Sequence, residues 1–279
     1  MARGRTVSHL VRAFGARGGG GGGELSGRKP DKVIVEEPLE IRLDGRRVTT
    51  TMRTPGHDYE LAVGFCHGEG LLAGAPVQTV RYCALGSAVD TAFNIVTVET
   101  GGLAPVPAER LTTTTSSCGW CGSDQIDDVA GRLSPLGAPT PFDLAMVATI
   151  PDAVAPHQEL FGATGGVHAA AAFDPTGEVV VVREDIGRHN AVDKVVGRLL
   201  LDGALPASGL GLFVSGRVSF EIVQKAWAAG IGTVVAVSAP SSLAIAAAER
   251  AGIVLAGFAR GGSLNLYVDR GMAPPGDRG

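Results

Sequence analysis

Apolar and polar positions alternate in two short runs over residues 32–53, and the break between the runs is Asp44-Gly45. Alternation at period two marks a half-buried strand, and Asp-Gly suits the left-handed backbone of a tight turn, so this stretch predicts a β-hairpin. Over residues 57–72 the period lengthens, with Leu61, Phe65 and Leu72 on one face, which predicts a helix. Strand-like patterning returns over 77–85 and 91–99. The hydroxyl-rich tract from Thr112 to Ser117 has little to bury and predicts a flexible loop.

The second half has a different rhythm. Residues 167–173 and 178–183 flank Pro175-Thr176-Gly177, a second hairpin signal. Asp185 is placed to cap a helix running to about Leu201. Apolar strands at 210–214, 233–237 and 253–258 then alternate with helices at 220–229 and 243–251, and a last strand covers 264–268. This alternation argues for an α/β fold with a largely parallel sheet covered on both faces. The expected organisation is a tail over 1–29, an N-terminal β-rich lobe with the hydroxyl-rich loop over 30–145, a C-terminal α/β lobe over 146–270 and a short tail over 271–279.

Composition narrows the function. The 279 residues carry a net charge of −4, so there is no general basic field for nucleic acid and any anion site must be local. No apolar run is long enough to span a bilayer. The N-terminus has Arg3, Arg5, Arg12 and Arg17 followed by glycine from Gly18 to Gly23; it lacks the apolar core of a signal peptide and is expected to be disordered. Four cysteines are few for this length, which points to a reducing compartment, the cytoplasm.

Two of them form Cys118-Gly119-Trp120-Cys121. Paired thiols at this spacing serve zinc ligation, a redox disulfide or sulfur transfer through a persulfide. A structural zinc site wants four ligands, and there is no second such pair. A helix expected over 124–133 would present its positive dipole end to a thiolate. Cys66 and Cys83 sit in apolar periodic segments and read as small buried hydrophobes. His67-Gly68-Glu69 with Cys118 and Cys121 also echoes zinc deaminases, although Ser117 stands where those enzymes carry proline. His67 itself reads as an exposed helix residue.

Further along, residues 182–194 read VREDIGRHNAVDK, which puts Asp185, His189 and Asp193 at helical spacing with Arg188 close by. His168 begins a strand beside two glycines and suits either a ligand contact or a structural hydrogen bond. Three strand ends suit an anionic ligand: Ser215-Gly216-Arg217, residues 238–242, and Phe258-Ala259-Arg260-Gly261-Gly262-Ser263. In open α/β sheets ligands gather at the carboxyl ends of strands.

These segments together resemble the FdhD family of formate dehydrogenase accessory sulfurtransferases. The matching stretches are TPGHDYELAVGF, SSCGWCG, TGGVHAAAAF, VREDIGRHNAVDKVVG, VSGRVSFEIVQKA and GFARGGSLNLY. The resemblance implies a cytidine-deaminase-like three-layer fold and a homodimer without a metal of its own. It implies that sulfur arrives from a cysteine desulfurase as a persulfide and passes to the molybdenum of bis-molybdopterin guanine dinucleotide, which then enters apo formate dehydrogenase. By motif, Cys118 would carry the persulfide, with Cys121 as its partner. Phe258, Ala259, Arg260, Gly261, Gly262 and Ser263 match the cofactor-binding segment. Ser215, Arg217 and Arg260 would suit the cofactor's phosphates, and Asp185, Arg188 and His189 would orient the pterin or the thiolate.

Overall fold

A computed structural model describes residues 4–16, 23–82, 93–106, 122–138 and 140–270. Its first strands come earlier than expected. β1 (Thr6–Val11) pairs antiparallel with β4 (Lys29–Ile34), and β2 (Phe14–Ala16) pairs with β3 (Gly23–Leu25). The segment expected to be disordered up to residue 29 is therefore stranded on both sides of residues 17–22, which lie outside the described residues. The Arg/Gly composition hides the β-rich run Thr6-Val7-Ser8-His9-Leu10-Val11, which meets Val33 and Ile34 across the ribbon.

The hairpin around Asp44-Gly45 forms as β5 (Glu37–Leu43) and β6 (Arg46–Arg53), with both turn residues at positive φ. β7 (Thr79–Tyr82) and β8 (Ile95–Glu99) complete a sheet of order β6-β5-β8-β7. α1 (Asp58–Gly68) lies across it and buries Leu61, Ala62, Val63 and Cys66 against Leu39, Ile41, Val96 and Val98. The helix ends before the expected residue 72 because Gly70 turns to φ 71°.

α2 (Gly122–Arg132), α3 (Leu144–Val154) and α4 (Glu159–Thr164) precede the second sheet. α3 and α4 were not apparent from the apolar pattern. Asp143 caps α3 by accepting hydrogen bonds from the backbone N–H groups of Ala145 and Met146. The sheet is built from β9 (His168–Phe173), β10 (Val179–Asp185), β11 (Gly211–Val214), β12 (Thr233–Ala236), β13 (Val254–Arg260) and β14 (Ser263–Val268), in the order β10-β9-β11-β12-β13-β14. Two of its neighbouring pairs, β11–β12 and β12–β13, are parallel and the other three are antiparallel, so the sheet is mixed rather than largely parallel. The reason lies in the connections. Parallel neighbours need a long crossover, whereas β9–β10 and β13–β14 are joined by short turns and must run antiparallel.

α5 (Arg188–Leu201), α6 (Phe220–Ala228) and α7 (Ser242–Ala251) cover one face of this sheet, packing on Ala170, Leu212, Val234 and Leu255. α3 covers the other, against Phe173, Phe213, Val235 and Val254. The α/β class expected from the sequence is thus observed. No helix among the described residues is long and apolar enough to cross a membrane.

The two sheets are joined through α1 and α5, which meet main chain to main chain. A Cβ on Gly64 would lie 1.9 Å from the Asp193 carbonyl oxygen, and one on Gly197 would lie 1.8 Å from that of Glu60. Beside this crossing Arg183 holds Glu60 through two hydrogen bonds, one of 2.8 Å. Burial pushes the Glu60 carboxyl up, but Arg183 and His57 outweigh it and bring it down to about 2. A carboxyl lowered by folding contributes stability that is present above its ordinary value of 4.5 and lost as pH falls toward about 2. Urea unfolding at pH 5 and pH 3 should show this loss, and Glu60→Gln should flatten it.

Candidate functional site

Because β11, β12 and β13 are parallel, their carboxyl ends and the loops that follow share one edge. β9 runs the other way and brings its first residue, His168, to that edge beside Asp185, the last residue of β10. The segments are hydrogen-bonded to one another in series. Ser215 accepts from the Ala169 N–H through its hydroxyl at 2.8 Å. Val218 N–H donates to the Ala239 carbonyl, and Phe258 N–H to that of Ser238. The edge is therefore a continuous rim, with a cavity of about 560 Å³ between it and α3–α4, lined by His168, Ile186, Ser215 and Val237 among others.

Asp185 does not cap a helix. It ends a strand, α5 starts after Gly187, and the carboxylate is completely buried. Oδ2 accepts from Lys194 Nζ at 2.7 Å and from the Thr54 N–H at 3.1 Å. Oδ1 accepts from the Gly187 N–H and from the Asn190 amide. Lys194 also donates to the Thr54 carbonyl, and the Thr54 hydroxyl accepts from the Ile186 N–H. Two motifs 131 residues apart thus lock together. Asp185 faces inward and fixes the loop that presents Arg188 and His189. Asp193 is buried separately, paired with Lys225 at 2.7 Å, so the helical face expected for Asp185, His189 and Asp193 does not exist.

Arg188 and His189 do reach the rim. Arg188 Nε is buried and has no hydrogen-bond partner among the described residues. Gly216 lets His168 and Arg188 approach closely: a Cβ there would lie 3.3 Å from His168 Nδ1 and 3.4 Å from Arg188 Cδ. His168 is half-buried, and burial together with Arg188 lowers its affinity for protons. His189 is bonded through Nε2 to Ser219 Oγ at 3.0 Å. Burial, reinforced by Arg188 and Lys225, pushes His189 down to about 4, so its imidazole is neutral near pH 7.

The third stretch forms a hairpin. Gly261 and Gly262, both at positive φ, join β13 to β14, and Ser263 Oγ donates to the Arg260 carbonyl. A register shift between Gly257 and Arg260 marks a bulge, within which Phe258 adopts φ 51° and stands 41% exposed. A bulky residue in left-handed backbone is strained, and such strain concentrates at ligand sites. Ala259 is buried, whereas Arg217 and Arg260 are exposed.

Cys118 and Cys121 lie outside the described residues, as does Cys83. α2 begins at Gly122, directly after the pair, close to where a helix was expected. It is anchored downstream: Arg132 donates to the Glu69 carbonyl and Trp227 to that of Ser134. Cys66 is buried, as expected. His67 is not the exposed residue its helical position implied, because α6 packs over it and its Nε2 pairs with the Ala228 carbonyl oxygen at 2.9 Å. Sequence patterning also missed Thr54 and Ser219. Ser219 carried a weak signal, a serine directly before an apolar helical run.

The sequence profile of the FdhD/NarQ family matches residues 34–272. The chain is 48% identical to the sulfur carrier protein FdhD of Streptomyces avermitilis over 249 residues, covering 86% of this chain and 88% of that one. It is 46% identical to the sulfur carrier protein FdhD of Mycobacterium tuberculosis, covering 86% and 91%. The crystal structure of a proposed formate dehydrogenase accessory protein from Desulfotalea psychrophila shares the fold, with a TM-score of 0.70 at 24% identity over 96% of this chain and 98% of that one. A match of this extent places the chain in the FdhD/NarQ family.

Proposed function

We propose that this chain is a sulfur carrier that serves formate dehydrogenase. A cysteine desulfurase persulfide is attacked by the Cys118 thiolate; the terminal sulfur moves to Cys118 and the desulfurase thiolate leaves. The S–S bond of the Cys118 persulfide then breaks, Cys118 leaves as its thiolate, and the outer sulfur passes to the molybdenum of bis-molybdopterin guanine dinucleotide, which is substrate and cargo here and whose metal centre supplies the two electrons that bring that sulfur to sulfide. The cofactor goes on to apo formate dehydrogenase. Cys121 sits within reach in sequence to support or relay the sulfur. The reading also assigns the protein to the reducing cytoplasm, as a homodimer without nucleic-acid partners.

The observation that carries this reading is the rim, in a chain whose relatives are named sulfur carriers. A guanine dinucleotide brings phosphates and planar rings. Arg188 offers a buried guanidinium N–H with no partner among the described residues, Gly216 allows close approach, and Phe258 presents an exposed ring on a strained bulge beside Arg260. Charge-assisted bonds of this type contribute about 1.5–3 kcal/mol each. Arg188→Ala is therefore expected to weaken guanosine diphosphate binding by about 1–3 kcal/mol, and Arg260→Ala, being exposed, by less. Calorimetric titration of the purified protein measures both, and unchanged affinity in both variants removes the site from this edge.

A further inference from the structure

A second cleft, of about 480 Å³, runs along β10 from Val179 to Glu184 and shares no lining residue with the cavity at the rim. Its other walls come from distant segments: Arg5 on β1, His57 ahead of α1, and Arg198 near the end of α5. Three carboxylates line it as well, and each has an evident use. Asp202 takes a hydrogen bond of 2.6 Å from Arg198. Glu184 accepts from the N–H groups of Leu160 and Phe161, both at 2.8 Å. Glu159 is exposed to water. Arg183, on β10, is held by Glu60. Arg5 is left over. It has no ion pair among the described residues, and its Nε is buried without a hydrogen-bond partner. Gly56 makes room for it: a Cβ there would stand 3.4 Å from that Nε. A buried donor without an acceptor is costly, and proteins ordinarily meet such groups with a protein atom, a water or a ligand. Arg5 as a whole is partly exposed and lines the cleft, so an acceptor that enters there reaches its guanidinium. Arg5 is also near enough to the buried Lys194 to act against that ammonium, so an anion beside Arg5 relieves two cations at once.

We propose that this cleft binds a small oxyanion of the phosphate or sulfate class, held by Arg5 and flanked by Arg198 and His57. A planar guanidinium suits the paired oxygens of such an ion. The Arg198–Asp202 pair is about half exposed on both sides, so Arg198 is free to turn toward a second acceptor. His57 meets Glu60 only at 3.4 Å and is itself partly exposed. Glu159 and Asp202 on the same walls repel an extended polyanion, which favours a compact ion. The site also has a consequence for the ribbon. The family profile begins at residue 34, so β1 lies outside it, whereas Gly56, His57, Arg183 and Arg198 lie within it. An ion in the cleft joins β1 to the core that the family shares, and its occupancy sets how firmly the β1–β4 ribbon is held.

The test is calorimetric titration of the full-length protein with inorganic phosphate at pH 7 and constant ionic strength, with sulfate and chloride run in parallel. Saturable binding of phosphate or sulfate, well above chloride, is expected. Arg5→Met should weaken it on the order of 10-fold or more, and Arg5→Lys should restore part of the loss. Hydrogen exchange followed by mass should show the β1 amides slowed by phosphate in the parent protein and not in Arg5→Met. Binding no stronger than that of chloride, or equal affinity in the parent and Arg5→Met, overturns the site. Binding that is lost in Arg188→Ala and kept in Arg5→Met places the ion on the rim and overturns it too. Exchange of β1 that phosphate leaves unchanged, with binding intact, overturns the hold on the ribbon.

Discussion

Cys118→Ala is expected to abolish sulfur uptake from a cysteine desulfurase, read as the loss of added sulfur mass on the intact protein. It should also reduce the formate dehydrogenase activity of a complemented strain by roughly 10³-fold or more, the scale on which enzymes lose rate when a nucleophile is deleted. No thiol in the described part of the chain can take its place. Cys66 is completely buried in the contact between α1 and the first sheet. Burial, with Asp193 and Glu69 nearby, pushes its thiol far up, away from the thiolate that nucleophilic sulfur chemistry needs. Full activity in Cys118→Ala would sink the persulfide reading. Running Cys121→Ala alongside separates a relay from a support role. If Cys121 relays sulfur, Cys118 stays loaded and discharge stops; if it supports Cys118, loading itself falls.

The second large effect concerns stability. Lys194→Met should destabilise the protein by about 3–5 kcal/mol, measured by urea unfolding, because it leaves a fully buried carboxylate without its cation. Both side chains of the Asp185–Lys194 pair are completely inaccessible. Burial pushes the Lys194 ammonium toward the neutral form, and Asp185 opposes that shift. The substitution also removes the donor to the Thr54 carbonyl. Adding Asp185→Asn to Lys194→Met should recover part of the loss, since the uncompensated charge is then gone. A change below about 1 kcal/mol in Lys194→Met would mean that the pair is not maintained as charged groups.

Much of this was legible in the chain. The two hairpins at Asp44-Gly45 and Pro175-Thr176-Gly177 were announced by local turn chemistry, and the alternation after residue 210 announced the strands and helices of the second sheet. Strand direction was harder, because a two-residue Gly-Gly link reverses β14 while the apolar pattern around it still looks like a buried strand. The helical periodicity of Asp185, His189 and Asp193 misled because strand β10 runs on to Asp185, and spacing counts as helical only within a helix. The rim residues 188, 189 and 258–263 could be picked out by polar type and glycine content. Their mutual contacts could not, since Thr54 reaches Asp185 across 131 residues and Ser219 reaches His189 across 30.

The glycine crossing of α1 and α5 has a consequence for how the protein comes apart. With Gly64 against Asp193 and Gly197 against Glu60 at main-chain contact, each helix forms part of the wall that completes the other's lobe. The lock of Thr54 on Asp185 and Lys194 sits beside it. A boundary between lobes was expected near residue 145, yet parting the two sheets would expose this interface and strand a buried ion pair. The unit of cooperativity is thus the pair of sheets together: one unfolding transition, coincident by fluorescence and circular dichroism, and no stable half released by limited proteolysis.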